Sequence, residues 1–250
     1  MELASCNHGR MATLHIGLSG YDYKEWQGEG LFYAPSVKRT GYLADYARQF
    51  NSLEANGTFQ RMPTEATVLK WIELTGEGFT VSPKMVQNVT HFKRLNDEAV
   101  EIAREFVKVL RPLDEAKKLG PILLQLPPNL RRDNQLLGIF LSEMPKGYKW
   151  AIEFRNESWA SEEVADLLRE YNAAWVSAET DDKEAQTFDT ADFIFVRLRR
   201  ITYTDEQLHA WATILKQHLS EGKDCYVYCR HKDTIEPWKW GERLRELIGA

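Results

Sequence analysis

The segment Lys149–Trp159 (KWAIEFRNESW) combines the pattern of a buried β-strand with two opposite charges. Alternate side chains of a strand point to opposite faces, so its aromatic and branched residues share one face, and Glu153 and Arg155 share the other. The apolar face can pack on a helix, whereas the second face must place a carboxylate and a guanidinium where they are paired or hydrated. The segment therefore predicts a strand with a polar site at its C-terminal end.

Short β-rich runs and amphipathic helical runs alternate along the rest of the chain. The predicted strands are Thr13–Ser19, Ser52–Asn56, Phe79–Lys84, Pro121–Leu126, Lys149–Phe154, Ala174–Ala178, Phe193–Leu198 and Asp224–Tyr228. The predicted helices are Gly41–Phe50, Thr64–Thr75, Asp97–Leu113, Asp133–Met144, Ser161–Tyr171, Asp205–Ser220 and Trp238–Ile248. A helix follows every strand except the sixth.

This alternation predicts the fold class. Strands that alternate with helices pair in parallel through right-handed crossovers, and eight such units in 250 residues are typical of a single α/β domain of the TIM-barrel, (β/α)8, type. An open doubly wound sheet is the alternative, and it is disfavoured because no glycine-rich phosphate loop follows an early strand. We expect residues 13–250 to form the barrel after a flexible, polar extension at residues 1–12.

Composition excludes several classes of protein. The chain is 43% hydrophobic, which suffices for a large core, and its net charge of −5 disfavours a dedicated nucleic-acid-binding protein without excluding a local basic patch. No apolar run reaches the ~18 residues of a membrane span, and residues 1–12 lack the apolar segment of a signal peptide. Cys6, Cys225 and Cys229 fit neither a disulfide framework nor a metal site, so we predict a cytoplasmic protein. The oligomeric state stays open.

The barrel fold also predicts which polar side chains meet. Residues on the face opposite the apolar one point into the barrel, with Ala151, Phe195 and Val227 as deep packing layers and His15 as a further inward residue. The polar residues expected inward near the C-terminal strand ends are Ser19, Glu54, Asn56, Lys84, Gln125, Glu153, Arg155, Glu179, Arg197, Arg199 and His231. TIM barrels hold their sites at this end.

Five ordered motifs resemble the YecE-like family, or domain of unknown function 72. They are Gly17–Trp26 (GLSGYDYKEW), Phe50–Phe59 (FNSLEANGTF), Lys84 with His91, Leu119–Pro128 (LGPILLQLPP) and Glu153–Trp159 (EFRNESW). The resemblance runs from about Leu14 to the C-terminus, and it implies a TIM barrel and no settled activity. Three positions depart from the family pattern: Gln60 stands where Tyr is usual, Glu179 where Asp is common, and Lys232 where one branch has an acid.

Glu54 and Glu153 are the predicted catalytic residues, acting as general acid or base. Arg155 offers a rigid bidentate fork for an oxyanion or a phosphate. The cations that would add to its attraction for an anionic substrate are Lys84, Arg197 and Arg199. The alternative is a purely structural network of ion pairs, which has the same composition as a functional cluster.

Other residues extend the predicted binding site. Asn56 and Gln125 offer amides, and aromatic residues in loops at the same face, including Tyr21 and Trp159, can stack on a base or sugar or simply form a lid. One Mg²⁺ or Mn²⁺ on the acids Glu54, Glu153 and Glu179 with His231 is disfavoured because neighbouring cations would repel the ion. No metal is predicted, and cofactors stay open.

Three functions fit this pattern. The first is an enzyme that acts on a phosphorylated or otherwise anionic substrate, either a small molecule or a nucleic-acid fragment, by acid/base chemistry at the barrel mouth. The second is a non-catalytic barrel that binds an anionic ligand or a nucleic-acid end. The third and weakest is a glycoside hydrolase with Glu54 and Glu153 as its two carboxyls, which requires a separation of ~5 or ~6.5–9.5 Å with no arginine between them.

Overall fold

Eight parallel strands form one sheet in the order β3-β2-β1-β8-β7-β6-β5-β4 in a computed structural model that describes residues 11–230 and 236–249. The strands are β1 (Leu14–Leu18), β2 (Ser52–Ala55), β3 (Thr80–Pro83), β4 (Ile122–Gln125), β5 (Trp150–Glu153), β6 (Ala174–Glu179), β7 (Phe193–Leu198) and β8 (Asp224–Cys229). The outermost strands, β3 and β4, meet through single bridges at Val81–Leu119 and Lys84–Leu123, so the sheet curls into a nearly closed barrel. This is the predicted TIM-barrel fold.

The helices lie between the strands as the sequence predicts. They are α1 (Tyr42–Gln49), α2 (Gly57–Gln60), α3 (Glu65–Leu74), α4 (Asp97–Glu115), α5 (Asn134–Glu143), α6 (Glu162–Glu170), α7 (Asp205–Ser220) and α8 (Trp238–Ile248). A loop at residues 180–192 joins β6 to β7 without a helix, also as predicted. Of the predicted extension, only Met11 and Ala12 are among the described residues. None of the helices in the described ranges is both long and apolar enough to cross a membrane.

Side-chain caps explain why several helices begin where they do. The oxygens of Thr64, Asn96, Asp133, Ser161 and Thr204 each accept a hydrogen bond from a backbone N–H in the first turn of the helix that follows. Such caps satisfy donors that have no partner within the helix. Among the described residues, five short helical elements are absent from the prediction: α2, a π-helical turn at Asn88–Phe92, and 3-10 turns at Lys24–Trp26, Arg39–Gly41 and Glu157–Trp159. All are too short for a periodic pattern to show.

The interior of the barrel is filled by a small apolar cluster that is separate from the larger core between sheet and helices. Its buried members are Leu123, Ala151, Ala174, Val176, Phe193, Phe195, Tyr226 and Tyr228. The prediction that Val227 faces inward was therefore wrong, because Val227 belongs to the outer core. Residues on both faces of β8 are apolar or aromatic, so hydrophobicity alone does not distinguish them. The inward position that follows Tyr228 is Arg230.

The junction between β1 and β2 explains the glycine in the first strand. The Tyr46 hydroxyl of α1 accepts a hydrogen bond from the Leu18 N–H (2.7 Å) and donates one to the Ser52 carbonyl (2.8 Å). A Cβ at Gly17 would lie 1.9 Å from that carbonyl oxygen, so only glycine allows this close approach. At the N-terminal end of the barrel, the predicted inward residue His15 stacks on Tyr226, with ring centroids 4.4 Å apart.

Candidate functional site

Arg197 lies at the centre of the barrel mouth, where it joins two buried carboxylates. Its Nε and Nη2 donate to Glu54 Oε2 (2.8 Å) and Oε1 (2.7 Å), and its Nη1 donates to Glu153 Oε2. The three side chains are 1%, 0% and 4% exposed. The strands β2, β5 and β7 thus bring one cation and two anions together out of contact with water.

A chain of hydrogen bonds continues from Glu153 to Lys84. Gln125 Nε2 donates to Glu153 Oε2 (2.9 Å), which turns Gln125 Oε1 toward Lys84 Nζ, also at 2.9 Å. Arg155 Nε donates to Glu153 Oε1 at 3.2 Å. Three strand ends are therefore coupled through a single carboxylate.

The environment of Glu54 and Glu153 keeps both carboxylates ionised. Burial is the largest single influence and raises the pKa of each group, but the charge of Arg197 together with the other cations and hydrogen bonds around each carboxylate outweighs it, so the pKa of both is lower than usual. Arg155 lowers the pKa of Glu153 further, and Asn56 Nδ2 donates to Glu54 Oε1 at 2.9 Å. For Arg197, burial opposes the charged form, yet the two carboxylates raise its pKa.

The remaining cations of the mouth repel one another. Burial, followed by the Arg197 charge, lowers the pKa of Lys84 to about 8. The Arg197 charge, followed by burial, lowers the pKa of Arg199 to about 10. Neither side chain forms an ion pair with another described residue, since both nearby carboxylates are held by Arg197. Among the described residues, positive charge is therefore in excess at the mouth.

Two clefts open beside this cluster. The cationic cleft, with a volume of about 370 Å³, is named for Arg155, Arg199 and Arg230 in its lining. Two acids also line it, Glu153 and Glu184, and each of them is paired with an arginine. The aromatic cleft, with a volume of about 360 Å³, lies between the loops after β1 and β2. Its lining includes Tyr21, Tyr23, Asn56, Met62 and Trp71. The cationic cleft suits an anionic group, and the aromatic cleft suits an apolar or ring-shaped one.

Most of the predicted site residues come together. Hydrogen bonds in the mouth join Glu54, Asn56, Lys84, Gln125, Glu153, Arg155 and Arg197. Arg199 lies near enough for the Arg197 charge to lower its pKa. Ser19 is buried at the end of β1, and its Oγ makes no hydrogen bond to a described residue. Tyr21 lines the aromatic cleft instead of the charged cluster. His231 lies outside the described residues.

Two expectations do not fit the structure. Trp159 is 0% exposed, stacks on Phe154 and donates from Nε1 to the Leu130 carbonyl, so it is a core residue that a substrate does not reach. Glu179 lies on the outer face of β6, where Trp211 Nε1 donates to its Oε1 (2.8 Å) and Arg200 pairs with its Oε2. The inward residues of that strand, such as Val176, are small and apolar.

Residues beyond the predicted set also reach the site. Arg230 lines the cationic cleft. Its inward direction follows from the alternation along β8, because Tyr226 and Tyr228 also point into the barrel. The Phe59 ring lies 3.9 Å from Lys84 Nζ, and His91 packs edge-on against the same ring. The sequence motifs contain both residues, but their spacing does not predict that they meet over Lys84.

The acids of the mouth are poorly placed to hold a metal ion. Arg197 engages Glu54 and Glu153, and Glu179 faces the helices. In residues 11–230 and 236–249, the acids and histidine with suitable mutual distances are Asp189, His218 and Glu221. They lie at the other end of the barrel, where the Lys223 ammonium already pairs with Asp189.

Comparison with known proteins supplies a family. A family model described as protein of unknown function DUF72 matches residues 15–250. The protein YecE (UPF0759) of Escherichia coli K12 is 28% identical over 144 residues, which are 57% of this chain and 48% of the relative, so the chain spans about half the length of this curated relative.

Solved structures support the fold. A DUF72 family protein of Enterococcus faecalis V583 aligns with a TM-score of 0.79 at 15% identity, over 95% of this chain and 96% of that one. A DUF72 family protein of Thermotoga maritima MSB8 aligns with a TM-score of 0.77 at 20% identity, over 95% of this chain and 100% of that one. At these identities the likeness extends to the barrel fold and not to an activity.

Proposed function

The chain belongs to the DUF72 family, and we propose that it is an enzyme that binds a phosphorylated or otherwise anionic substrate at its barrel mouth. One observation carries the proposal: Lys84 and Arg199 are cations without a carboxylate partner among the described residues, next to Arg197, which already holds both buried acids. Like charges kept this close lower one another's pKa, and a bound anion relieves that repulsion.

The cationic cleft has the donors that a phosphate or carboxylate requires. Arg155 uses only Nε in its bond to Glu153, so its two terminal nitrogens have no acceptor among the described residues. Arg199 and Arg230 line the same cleft. Guanidinium groups bind phosphate and carboxylate oxygens bidentately, which favours a small anionic group here over a diffuse polyanion. The overall charge of −5 also disfavours a long nucleic acid.

Glu54 and Glu153 support this site in a way that differs from the usual acid/base pair. Because both have a pKa below the ordinary range, neither carries a proton to donate at neutral pH. Their contribution in this proposal is to hold Arg197 and to orient Gln125 and Arg155, and proton acceptance by either carboxylate is a weaker alternative. The glycoside hydrolase hypothesis is dropped because Arg197 lies between the two acids.

A non-catalytic barrel that binds an anionic ligand is the second candidate. The full engagement of both buried carboxylates favours it, because a group that is fixed in one protonation state contributes little to proton transfer. Turnover separates the two candidates, since a binding protein stabilised by an anion leaves that anion unchanged. The predicted cytoplasmic location belongs to the same proposal, and the buried free thiols of Cys225 and Cys229 support it.

Thermal-shift and calorimetric titration of the purified protein test the proposal. The panel consists of inorganic phosphate, phosphosugars, nucleotides, short DNA and RNA, and divalent metals. A ligand that binds only the folded state raises the melting temperature by mass action. We expect stabilisation by small phosphorylated anions that weakens as salt increases.

Variants locate the site. Arg155→Ala or Arg199→Ala should weaken anion binding about tenfold, because each removes a charge-assisted hydrogen bond. Arg104→Ala is the matched control, since Arg104 pairs with Glu101 and Glu143 on helices outside the mouth. Binding that is unchanged in both mouth variants, or weakened equally by Arg104→Ala, would refute the site. Conversion of a stabilising ligand would support the enzyme over the binding protein.

A further inference from the structure

Lys84 differs from every other group in the mouth in the way its polar atom is held. Its Nζ is largely buried, donates one hydrogen bond to Gln125 Oε1 and has the Phe59 ring on another side. A lysine ammonium has three N–H donors, and among the described residues Nζ has one hydrogen-bond acceptor and the cation–π contact with the Phe59 ring. It has no ion pair with a carboxylate of these residues, and a neutral amine, with two N–H bonds and a lone pair, can keep the hydrogen bond to Gln125.

The hydrogen-bond chain fixes the position of this amine. Arg197 and Gln125 both donate to Glu153 Oε2, so the Gln125 amide can present only its oxygen to Lys84. The Lys84 backbone is held as well, because its N–H donates to the Ala55 carbonyl and its carbonyl accepts from Thr58 Oγ1. The backbone of Lys84 is thus held by β2 and α2, and Nζ is directed to Gln125 on β4, whose amide is oriented by Glu153 on β5.

Burial and the neighbouring cations together favour the neutral form. Burial opposes the charged form most, the charges of Arg197 and Arg155 act in the same direction, and the carboxylates of Glu54 and Glu153 offset them only in part. With a pKa of about 8 against an ordinary value of 10.5, the neutral fraction near pH 7.5 is on the order of a hundredfold larger than that of a surface lysine. Lysines that are buried beside other cations are the ones that act as amine nucleophiles.

We propose that Lys84 is a nucleophile that forms an imine with the carbonyl carbon of an anionic aldehyde or ketone, such as a keto acid or a phosphorylated ketose. This rests on the proposed function: Arg155 binds the anionic group of the substrate, and the carbonyl is directed toward Lys84, which the hydrogen-bond chain through Glu153 and Gln125 places in the same cluster as Arg155. The substrate class is thereby narrowed from anions in general to anions that carry a carbonyl group.

The step is balanced without any further reactant. The Nζ lone pair forms a C–N bond to the carbonyl carbon, the π electrons move to oxygen, and the proton lost by nitrogen ends on that oxygen. The resulting carbinolamine loses its hydroxyl group together with the second amine proton as one molecule of water, which leaves the C=N bond. Nothing is oxidised or reduced, and addition of water reverses the reaction.

Reductive trapping tests this proposal. The protein is incubated with pyruvate or dihydroxyacetone phosphate, treated with sodium borohydride and analysed by intact mass and peptide mapping. Borohydride reduces an imine to a stable secondary amine, so the modified lysine can be identified. We expect one adduct per chain, located on Lys84, which forms faster as pH rises through 8 and which neutral acetone does not give.

Lys118 provides a matched control. It is also largely buried and also has a lowered pKa, but its ammonium donates to Thr75 O, Thr75 Oγ1 and Gly76 O and is fully satisfied. Lys118→Met should leave the adduct unchanged, whereas Lys84→Met should abolish it. Lys84→Arg, which keeps the positive charge, should abolish it too, and circular dichroism checks that both Lys84 variants fold.

The outcomes separate this inference from the function on which it rests. No trapped adduct in a protein that binds phosphate would refute imine formation and leave the anion site standing. An adduct that persists in Lys84→Met, or that is spread over surface lysines, would also refute it. Absence of any anion binding would refute the proposed function itself. Loss of the Lys84 adduct in Arg155→Ala would support both.

Discussion

Removal of the Arg197 guanidinium should destabilise the protein and reverse the pH dependence of part of its stability. The variant Arg197→Met keeps a side chain of similar length in a site that is 1% exposed, but it leaves the carboxylates of Glu54 and Glu153 buried without their shared partner. Breaking a buried ion pair from one side typically costs 3–5 kcal/mol. We expect the free energy of unfolding at pH 7 to fall by about this amount.

The two acids should respond unequally. Glu54 loses both of its bonds to Arg197 and keeps only the amide of Asn56. Glu153 loses one bond and keeps Arg155 and Gln125. In the Arg197→Met background, adding Glu54→Gln should therefore restore about 1–3 kcal/mol, because a neutral amide is far less costly to bury than an unpaired charge. Adding Glu153→Gln should restore less.

The sign of the pH effect follows from the pKa shifts. In the natural chain the folded-state pKa of Glu54 and Glu153 is depressed, so their stabilisation is fully present above the unfolded value of about 4.3 and is lost as pH falls. Without Arg197, burial raises the pKa of Glu54 above the unfolded value. The difference in free energy of unfolding between the variant and the natural chain should then be smallest at low pH. The variant should lose stability as pH rises through that raised pKa.

Urea unfolding followed by circular dichroism between pH 4 and pH 8, in steps of about one pH unit, measures this difference. Arg104→Ala serves as the control for loss of a surface arginine, with an expected change within about 0.5 kcal/mol. A loss below about 1 kcal/mol for Arg197→Met with an unchanged pH profile would show that the triad is not held as described. Equal rescue by the two glutamine variants would contradict the assignment of Glu54 as the more dependent acid.

Three further substitutions test the scaffold, each by urea unfolding. Gly17→Ala should cost about 3 kcal/mol or more, because its Cβ would lie 1.9 Å from the Ser52 carbonyl oxygen; near-neutral stability would contradict that contact. Tyr46→Phe should cost about 2–4 kcal/mol, because it leaves the Leu18 N–H and the Ser52 carbonyl unpaired. A loss below about 1 kcal/mol would mean that water replaces the hydroxyl. Thr204→Ala should cost about 1 kcal/mol by removing the capping box of α7, with no effect on anion binding.

The fold was predictable because its signal is repeated in every unit. Each strand shows apolar residues on the face toward the helices. On β5 the opposite face, which carries Glu153 and Arg155, therefore points into the barrel, and the same reasoning applies to the charged ends of β2 and β7. Packing against helices and alternation along a strand are local properties that a sequence records. The cluster of Glu54, Glu153 and Arg197 could therefore be placed at one end of the barrel.

Which face of a strand points into the barrel was harder to predict where both faces are apolar. On β8, Val227 and Tyr228 are equally compatible with burial, and the inward face is identified by contacts inside the barrel, including the hydrogen bonds that join the Tyr228 hydroxyl to the Ser52 and Ser82 hydroxyls. Glu179 shows the opposite problem, since this charged residue at a strand end faces the helices, where it accepts a hydrogen bond from Trp211 and pairs with Arg200. Partners that are distant in sequence decide both cases, and no local pattern contains them.

The burial of Arg197 with two acids bears on what the mouth is for. A buried ion triad is weak support for stability, because well-packed apolar side chains of similar volume often serve as well or better. The triad does, however, fix the orientation of the groups beside it: Glu153 orients Gln125 and Arg155, and Gln125 orients Lys84. Catalytic and binding groups act efficiently when their geometry is set before the ligand arrives. We therefore favour a preorganised site over a structural ion-pair network, because the cluster holds Lys84 and Arg199 in place without a carboxylate partner among the described residues.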